Sequence, residues 1–451
     1  MKKNIFHISL FLFLTQLSFG QSNYQIKGVF EDAKDSEIRL MGFAGTKDTL
    51  LSQSKTDGLG NFILSYTKNY RGAATIQVKD LSNLIVLLNK ENMKISWADF
   101  KDFNTLKFSN TKENAWFQEA IQINIATQKR LAGLNYLLPL YKTETHKTEW
   151  VSQLSREISF EKGRFETYQK QLSNEFYIKS YLKYRTLFQN MQKENKTPEE
   201  EIATENAFLR LDFGSMDLYH SGMSKDFFET YFKQVFKLGS KELTVSKLHA
   251  FSDIIKGSTK DKPEILNHYA EYLVKQYEKY GLVEVAEHLA LALLDDNKCK
   301  MSAKTLPLLL QYKKMAIGNV VPSITISKHL KYKTSNDIKA KYKVIVFGAS
   351  WCDKCKVDLP QFKEYTETFK TQYDAEIIFV SVDTQEEEFI NFTKDFPFTS
   401  TCDLQGWEGS NVKNYYVFAT PSIYVLNNEN KLVAKPNNAI STARWFYVNV
   451  K

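Results

Sequence analysis

KVIVFGASWCDKC, residues 343–355, is the stretch that decides the fold of the C-terminal region. Its opening segment, Lys343–Phe347, is a short apolar run of the kind that forms a buried parallel strand. A segment of helix length follows, from Asp353 to about Gln372. Cys352 and Cys355 therefore stand where a strand passes into a helix, and this context is more specific than their spacing alone.

The predicted helix gives the two cysteines different chemical roles. At a helix N-terminus the unpaired backbone N–H groups and the helix dipole stabilise an anion, so the Cys352 thiolate forms at a lower pH than that of a free cysteine. A thiolate is the attacking species in disulfide exchange. Cys355 lies one helical turn later and can resolve the mixed disulfide. We therefore expect a thiol–disulfide oxidoreductase whose redox centre is the Cys352–Cys355 disulfide, with no other cofactor.

Two other interpretations of this cysteine pair are open. It could be half of a zinc site, but a structural zinc needs four ligands, and the isolated Cys299 and Cys402 are the other cysteines, with His329 the nearest upstream histidine. It could also be a structural disulfide, although so small a loop constrains the unfolded chain very little. We expect no metal and treat Cys402 as a bystander.

The rest of the C-terminal region predicts an α/β domain over residues 317–451. Gly318–Ser323 is its boundary, because Pro322 does not extend a helix. The order after the cysteine helix is strand, helix and an antiparallel pair of strands. The corresponding segments are Ile377–Val382, Gln385 to about Lys394, Ser422–Leu426 and Lys431–Ala434.

A family resemblance rests on this same stretch. FGASWC, residues 347–352, with Cys355 and Pro360, resembles the TlpA-like branch of the thioredoxin superfamily, within the AhpC/TSA-type thioredoxin fold. Members of this branch are exported thiol–disulfide reductants, and several serve cytochrome c maturation. The resemblance begins near Val320 and covers less than a third of the chain. It implies a thioredoxin fold and the same chemistry here.

The resemblance also implies roles for individual residues. Thr420-Pro421 stands before a strand, where these proteins carry a cis-proline whose preceding backbone pairs with the substrate chain. Thr420 and Pro421, with Trp351, are therefore the predicted substrate-binding residues. Asp358 stands where the branch often has a glutamate. We expect its carboxylate either to assist proton transfer involving Cys355 or to be an ordinary acid on the helix surface.

Three positions depart from thioredoxins proper. Val346 replaces the buried aspartate that those proteins use as a proton acceptor. Asp353 and Lys354 stand between the cysteines in place of Gly-Pro. A carboxylate opposes a nearby thiolate whereas an ammonium group favours it, so the redox potential stays open.

Peroxidase chemistry needs a separate check, because peroxiredoxins share this fold. Their nucleophilic cysteine has a Thr or Ser three residues before it and a Pro seven residues before it. The corresponding residues here are Ala349 and Ile345. The peroxide-binding pattern is therefore missing, and we do not expect a peroxidase.

The first part of the chain, residues 21–110, predicts a β-sandwich. It contains short strand candidates separated by turn signals such as Asp57-Gly58, with no helix-length segment between them. The candidates are Tyr24–Phe30, Phe62–Leu64, Ala74–Val78, Leu84–Leu88 and Met93–Trp97. The region is similar to an N-terminal domain of unknown function that is often fused to such thioredoxin folds, with a weak match at 107–114. This likeness implies architecture only.

Residues 111–316 predict an all-α module of five to eight helices. One helix starts at Pro198, after Thr197. An apolar stripe at helical spacing is more often core than a ligand site, and here it consists of Tyr177, Tyr181, Tyr184 and Leu187. The module's histidines have no ligand spacing and are expected at the surface or in the core. They are His146, His220, His249, His268 and His288.

The N-terminus has the pattern of a secretory signal peptide over residues 1–20. Two lysines precede the apolar stretch Ile5–Leu14, and Ser18–Gly20 suits a cleavage site. The apolar stretch is shorter than the roughly 20 residues that span a bilayer, and we expect no transmembrane segment after cleavage. The net charge of +8 is dispersed over 451 residues, so we expect no nucleic-acid partner.

Together these patterns predict a multidomain periplasmic protein with a β-sandwich, a helical module and a thioredoxin fold. Its expected partners are cysteine-containing envelope proteins and, if it works as a reductant, a membrane electron donor. The alternative is an envelope binding or scaffold protein whose thioredoxin domain is auxiliary or a redox switch.

Overall fold

In a computed structural model of the protein, the described residues are 23–79, 81–327 and 330–450. The predicted signal peptide lies outside them. The chain divides into two compact units, Met1–Arg210 with Ser215–Thr230, and Leu211–Gly214 with Tyr231–Lys451. The domain limits after residues 110 and 316 stay predictions. No helix in the described part of the chain is long and apolar enough to cross a membrane.

The first unit begins with two four-stranded sheets. The strands are β1 Asn23–Phe30, β2 Glu37–Ala44, β3 Lys47–Lys55, β4 Asn61–Thr67, β5 Arg71–Val78, β6 Ser82–Asn89, β7 Met93–Trp97 and β8 Lys107–Ser109. Their orders are β4-β1-β7-β8 and β3-β2-β5-β6. Buried side chains of both sheets form one core, because alternate residues along each strand point inward. Ile26 and Trp97 come from one sheet, and Leu40 and Ile76 from the other. The predicted β-sandwich is thereby confirmed.

The helical region has more helices than the sequence predicts. Ten lie between residues 112 and 314. They are α1 Lys112–Lys142, α2 Thr148–Gln171, α3 Tyr177–Gln192, α4 Pro198–Leu209, α5 Met216–Tyr219, α6 Ser224–Phe236, α7 Lys241–Thr259, α8 Pro263–Lys279, α9 Val283–Leu294 and α10 Thr305–Lys314. Helix α4 starts as predicted, with a capping box between Thr197 and Glu200. The apolar stripe of α3 is buried, as predicted.

The second unit ends in a five-stranded sheet of order β11-β10-β9-β12-β13. The strands are β9 Tyr342–Gly348, β10 Ala375–Ser381, β11 Thr399–Cys402, β12 Ser422–Asn427 and β13 Leu432–Ala434. The helices are α11 Asp353–Tyr373, α12 Glu386–Thr393, α13 Ser410–Asn414 and α14 Ala439–Asn449. Strands β9, β10 and β11 are parallel, whereas β12 and β13 run antiparallel. The predicted α/β class is confirmed.

Candidate redox site

The cysteine pair lies at the carboxyl end of the central strand β9. Cys352 is the N-cap residue of α11, and its sulfur accepts the backbone N–H of Cys355 at 3.2 Å. A disulfide joins the two residues, whose Cα atoms are 5.2 Å apart. Cys355 is fully buried, whereas Cys352 keeps 7% of its surface exposed. Cys352 is therefore the more accessible of the two cysteines.

The position of Cys352 favours a thiolate once the disulfide is reduced. Helix α11 is 21 residues long, and the first N–H groups of a helix lack partners within it. The N–H of Cys355 already points at the Cys352 sulfur. This geometry is what the sequence predicts for a nucleophilic cysteine at a strand-to-helix junction.

Asp358 lies in the same helix, one turn after Cys355. It is buried, and burial raises the pKa of its carboxyl group, while the backbone N–H of Ala439 and the charge of Lys354 act in the opposite direction. Asp358 is therefore not an exposed surface acid. Its role in proton transfer stays a prediction.

The predicted substrate-binding residues lie beside this junction. The Thr420–Pro421 peptide bond is cis. Ser422, the next residue, pairs with Phe347 of β9, so the cis bond lies at the end of the sheet that carries the cysteines. Trp351 is half exposed. Their contact with substrate stays a prediction.

Comparisons with known proteins match the region of the chain that contains this site. A thioredoxin-like family matches residues 339–432, a segment that contains both cysteines and the cis-proline.

The C-terminal region has a thioredoxin-like fold.

Solved structures resemble this thioredoxin-like region at low identity. The thioredoxin domain of a thiol-disulfide oxidoreductase from Bacteroides vulgatus is 24% identical, with a TM-score of 0.27 over 30% of this chain and 99% of that one. A thiol:disulfide interchange protein from a Bacteroides species is also 24% identical, with a TM-score of 0.27 over 30% and 92%. A thioredoxin-like protein from Bacteroides caccae is 12% identical, with a TM-score of 0.37 over 57% and 98%. No curated protein matches this chain.

Asp383 is a residue of the site that the sequence analysis missed. It lies two residues after the end of β10 and has no exposed surface. Its carboxylate accepts the N–H of Ser350 at 3.1 Å, the Ser350 hydroxyl at 2.8 Å and the Ser381 hydroxyl at 2.6 Å. Asp383 thus ties the loop before Cys352 to the neighbouring strand. A signal was present, since a polar residue just after the end of a buried parallel strand lies at the edge where sites form.

A second missed residue is Trp407. It lies in a short turn after β11, and its ring centre is 6.3 Å from that of Trp351. Both rings are exposed, Trp407 by 40% and Trp351 by 50%. The thioredoxin-like region therefore presents two indole rings next to Cys352. No periodicity marks the turn, so Trp407 could not be selected from sequence patterns.

Cys402 and Cys299 are not part of the disulfide. The Cys402 thiol donates to the backbone oxygen of Asp383 at 3.3 Å, and burial raises its pKa. Burial likewise raises the pKa of Cys299. A raised pKa leaves less thiolate near neutral pH, so both thiols are poorer nucleophiles than an ordinary cysteine.

The structure also brings together two histidines that the sequence analysis treated as separate. His249 of α7 and His288 of α9 stack with their ring centres 4.2 Å apart, and His288 bonds Asp253 at 2.8 Å. Sequence spacing does not reveal a pair on two different helices. Within residues 23–79, 81–327 and 330–450, no three His, Cys, Asp or Glu side chains form a group that could hold a metal ion.

Proposed function

We propose that this protein is an exported thiol–disulfide oxidoreductase that reduces disulfides of envelope proteins through Cys352 and Cys355. The observation that carries the proposal is the disulfide at the N-terminus of α11, in a thioredoxin-like fold, with Cys352 the less buried of its two residues. The family match supports a thiol–disulfide oxidoreductase.

The reaction proceeds in two exchanges. The Cys352 thiolate attacks one sulfur of a client disulfide, a bond forms between them, and the other client sulfur leaves as a thiolate. Cys355 then loses its proton, for which Asp358 is the acceptor. Its thiolate attacks the Cys352 sulfur, the enzyme disulfide forms, and the second client sulfur leaves. Two electrons pass from the enzyme dithiol to the client.

The client binds beside Cys352. The backbone of Thr420, next to the cis bond to Pro421, pairs with the client chain, and Trp351 packs against it. Trp407 adds a second exposed ring on the same side. Aromatic rings contribute large apolar contact area at such surfaces.

We assign the reductive direction and the periplasm from the TlpA-like resemblance and the signal pattern at residues 1–20. An exported reductant works in an oxidising compartment. It therefore needs a membrane electron donor that returns two electrons to the Cys352–Cys355 disulfide after each cycle.

Reduction of insulin by the purified protein, with dithiothreitol as electron donor, tests the activity. We expect catalysed reduction, and loss of two thiols when the reduced protein is mildly oxidised. The variant with both Cys352→Ser and Cys355→Ser should be inactive, whereas Cys402→Ser should keep the activity, as a matched control. No catalysis by the natural protein, or equal catalysis by the double variant, would contradict the proposal.

A further inference from the structure

Helices α8 and α10 contact the thioredoxin-like region through one carboxylate. Glu278 of α8 accepts the hydroxyl of Tyr312, on α10, at 2.7 Å. The same oxygen accepts the hydroxyl of Tyr416, in the thioredoxin-like region, at 2.8 Å. The two tyrosine rings meet edge to face with centres 5.2 Å apart. We call these three residues, Glu278, Tyr312 and Tyr416, the Glu278 cluster.

One member of the Glu278 cluster, Tyr416, lies four residues before Thr420 in the chain. Tyr416 begins the segment 416–421, which leads from α13 to the cis bond and β12. Its ring contacts Phe418, with centres 5.8 Å apart. The segment is also anchored by Tyr415, whose hydroxyl donates to the backbone of Pro322 at 2.7 Å. The backbone N–H of Val417 also bonds to the oxygen of Val412 at 3.0 Å, so backbone and side-chain contacts together fix the start of the segment.

The backbone of Tyr416 needs such support. Its φ is +52°, in the left-handed region that bulky residues rarely occupy. A conformation of this kind persists when the surrounding structure holds it in place. Backbone bonds that close the end of α13 supply that hold, from the N–H of Tyr416 to Lys413 at 3.2 Å and from the N–H of Val417 to Val412 at 3.0 Å. The hydroxyl bond to Glu278 and the packing against Tyr312 then fix the Tyr416 side chain.

The two tyrosine hydroxyls of the cluster keep the protons that they donate to Glu278. Burial raises the pKa of both the Tyr312 and the Tyr416 hydroxyl, and the neighbouring Glu278 raises it further. Both tyrosines therefore stay protonated and act as donors. A hydrogen bond to a charged acceptor is stronger than one between neutral groups.

From these contacts we propose that Glu278 is a positioning residue for client binding. Through Tyr416 it holds segment 416–421 in the shape that presents the Thr420 backbone to a client polypeptide. Helices α8 and α10 thereby become part of the oxidoreductase. This inference rests on the proposed function, and it assigns part of the helical module a role in it.

The proposal predicts different effects on the reaction rates of two kinds of substrate. A polypeptide disulfide uses the Thr420 backbone, so disordering segment 416–421 adds an ordering cost to binding. A small aryl disulfide, such as dithiobis(nitrobenzoate), reacts at the Cys352 thiolate without that backbone. Weakening the Glu278 cluster should therefore slow the first reaction and leave the second unchanged.

The test compares second-order rate constants of the reduced full-length protein in single turnovers. One substrate is a synthetic peptide closed by a single disulfide, and the other is dithiobis(nitrobenzoate). Tyr416→Phe and Glu278→Ala should each slow the peptide reaction about tenfold, the effect of losing a hydrogen bond of this class. Both should change the aryl disulfide reaction less than about twofold.

Two variants serve as controls. Tyr312→Phe removes a hydroxyl from the same acceptor but leaves Tyr416 bound, so its peptide rate should stay close to that of the natural protein. Glu278→Gln keeps an oxygen that accepts both hydroxyls and should restore most of the rate that Glu278→Ala loses.

Each outcome has a defined meaning. Equal peptide rates in natural protein and Tyr416→Phe would overturn the inference, as would equal losses with both substrates. If Glu278→Ala does not fold, Tyr416→Phe decides alone, because it deletes a single oxygen atom. If the natural protein reduces neither substrate, the proposed function itself fails.

Discussion

Asp383 ties together two loops of the redox site. Its carboxylate holds Ser350, two residues before Cys352, and its backbone oxygen accepts the thiol of Cys402. The shape of the loop before the nucleophile therefore depends on a residue from another strand.

Replacing Asp383 should destabilise the second unit. Asp383→Ala leaves the Ser350 N–H and hydroxyl without their acceptor in a buried place, so the free energy of unfolding should fall by about 2–3 kcal/mol. Denaturant titration of the oxidised protein measures it. Ser350→Ala removes one donor only and should cost about 1 kcal/mol. An equal or larger loss for Ser350→Ala would contradict this account.

Asp358 gives a prediction about pH. Because burial raises its pKa above the usual 3.8, the folded state binds its proton more tightly than the unfolded state does. Its effect on stability is therefore favourable below the unfolded pKa and is lost as pH rises through the folded value. Asp358→Asn should stabilise the protein at pH 7 relative to the natural chain, and this gain should vanish near pH 3.

The same variant separates stability from activity. If Asp358 accepts the proton of Cys355, Asp358→Asn should slow release of a trapped client at pH 7 even though the protein is more stable. Urea unfolding at pH 7 and pH 3 tests the predicted stability. The rate of client release at pH 7 tests the role of Asp358 in proton transfer. Lower stability of Asp358→Asn at pH 7 would contradict the stability prediction. Client release at the natural rate would contradict the role in proton transfer.

Some residues of the redox site are predictable from the sequence and others are not. Cys352 and Cys355 are predictable because their chemistry depends on local spacing and on a strand-to-helix context. Asp383 and Trp407 come from other strands and loops, and only the folded sheet brings them beside the cysteines. Local sequence patterns do not encode such distances.

Among the elements, α1 starts with two residues that connect it to its neighbours. Asn114 accepts the backbone N–H of Leu87 and donates to the Leu87 oxygen, both at 2.8 Å. Its side chain thus pairs with β6 as a neighbouring strand would. Glu113 accepts the N–H groups of Tyr177 and Ile178, so it caps α3, which has no side-chain cap of its own.

Asn114→Ala should therefore loosen the edge of β6. Two buried backbone groups of Leu87 lose their partners, and the free energy of unfolding of the first unit should fall by about 3 kcal/mol. Faster hydrogen exchange at the Leu87 amide gives a local readout. The exposed Asn83, on the same strand, is the matched control, since Asn83→Ala should leave that exchange unchanged. Unchanged protection in Asn114→Ala would contradict the assignment.

The sequence patterns did not predict strands β2, β3, β8 and β11. The predicted strands have a buried face. Strand β2 was missed, although its buried Ile38 and Leu40 alternate with more exposed residues. Strand β3 is an edge strand with largely exposed residues, so it carries no apolar alternation. Strand β8 has three residues, too few to show a period. In the thioredoxin-like region β9, β10, β12 and β13 were predictable, whereas β11 is short and polar.

Helices α7–α10 belong to the same compact unit as the thioredoxin-like region. Besides the Glu278 cluster, Glu287 of α9 pairs with Lys435 at 2.5 Å, and both side chains are largely buried. Composition alone suggests a break near Gly318, but it does not reveal which helices pack against the following domain.

This arrangement predicts how fragments behave. Residues 317–451 alone lose the partners of Lys435 and of Tyr416 and expose to water the Tyr416 ring, which packs against Tyr312 in the longer fragment. Their melting temperature should lie roughly 10 °C below that of residues 240–451. Equal melting temperatures of the two fragments would show that the helices add no stability.

The proposed function depends on attack by Cys352 and resolution by Cys355. The most direct measurement is to mix reduced Cys355→Ser protein with a disulfide-closed peptide and map the adduct by mass spectrometry. A stable mixed disulfide through Cys352, and none with Cys352→Ser, is the predicted result. No adduct, or an adduct through Cys402 or Cys299, would contradict it.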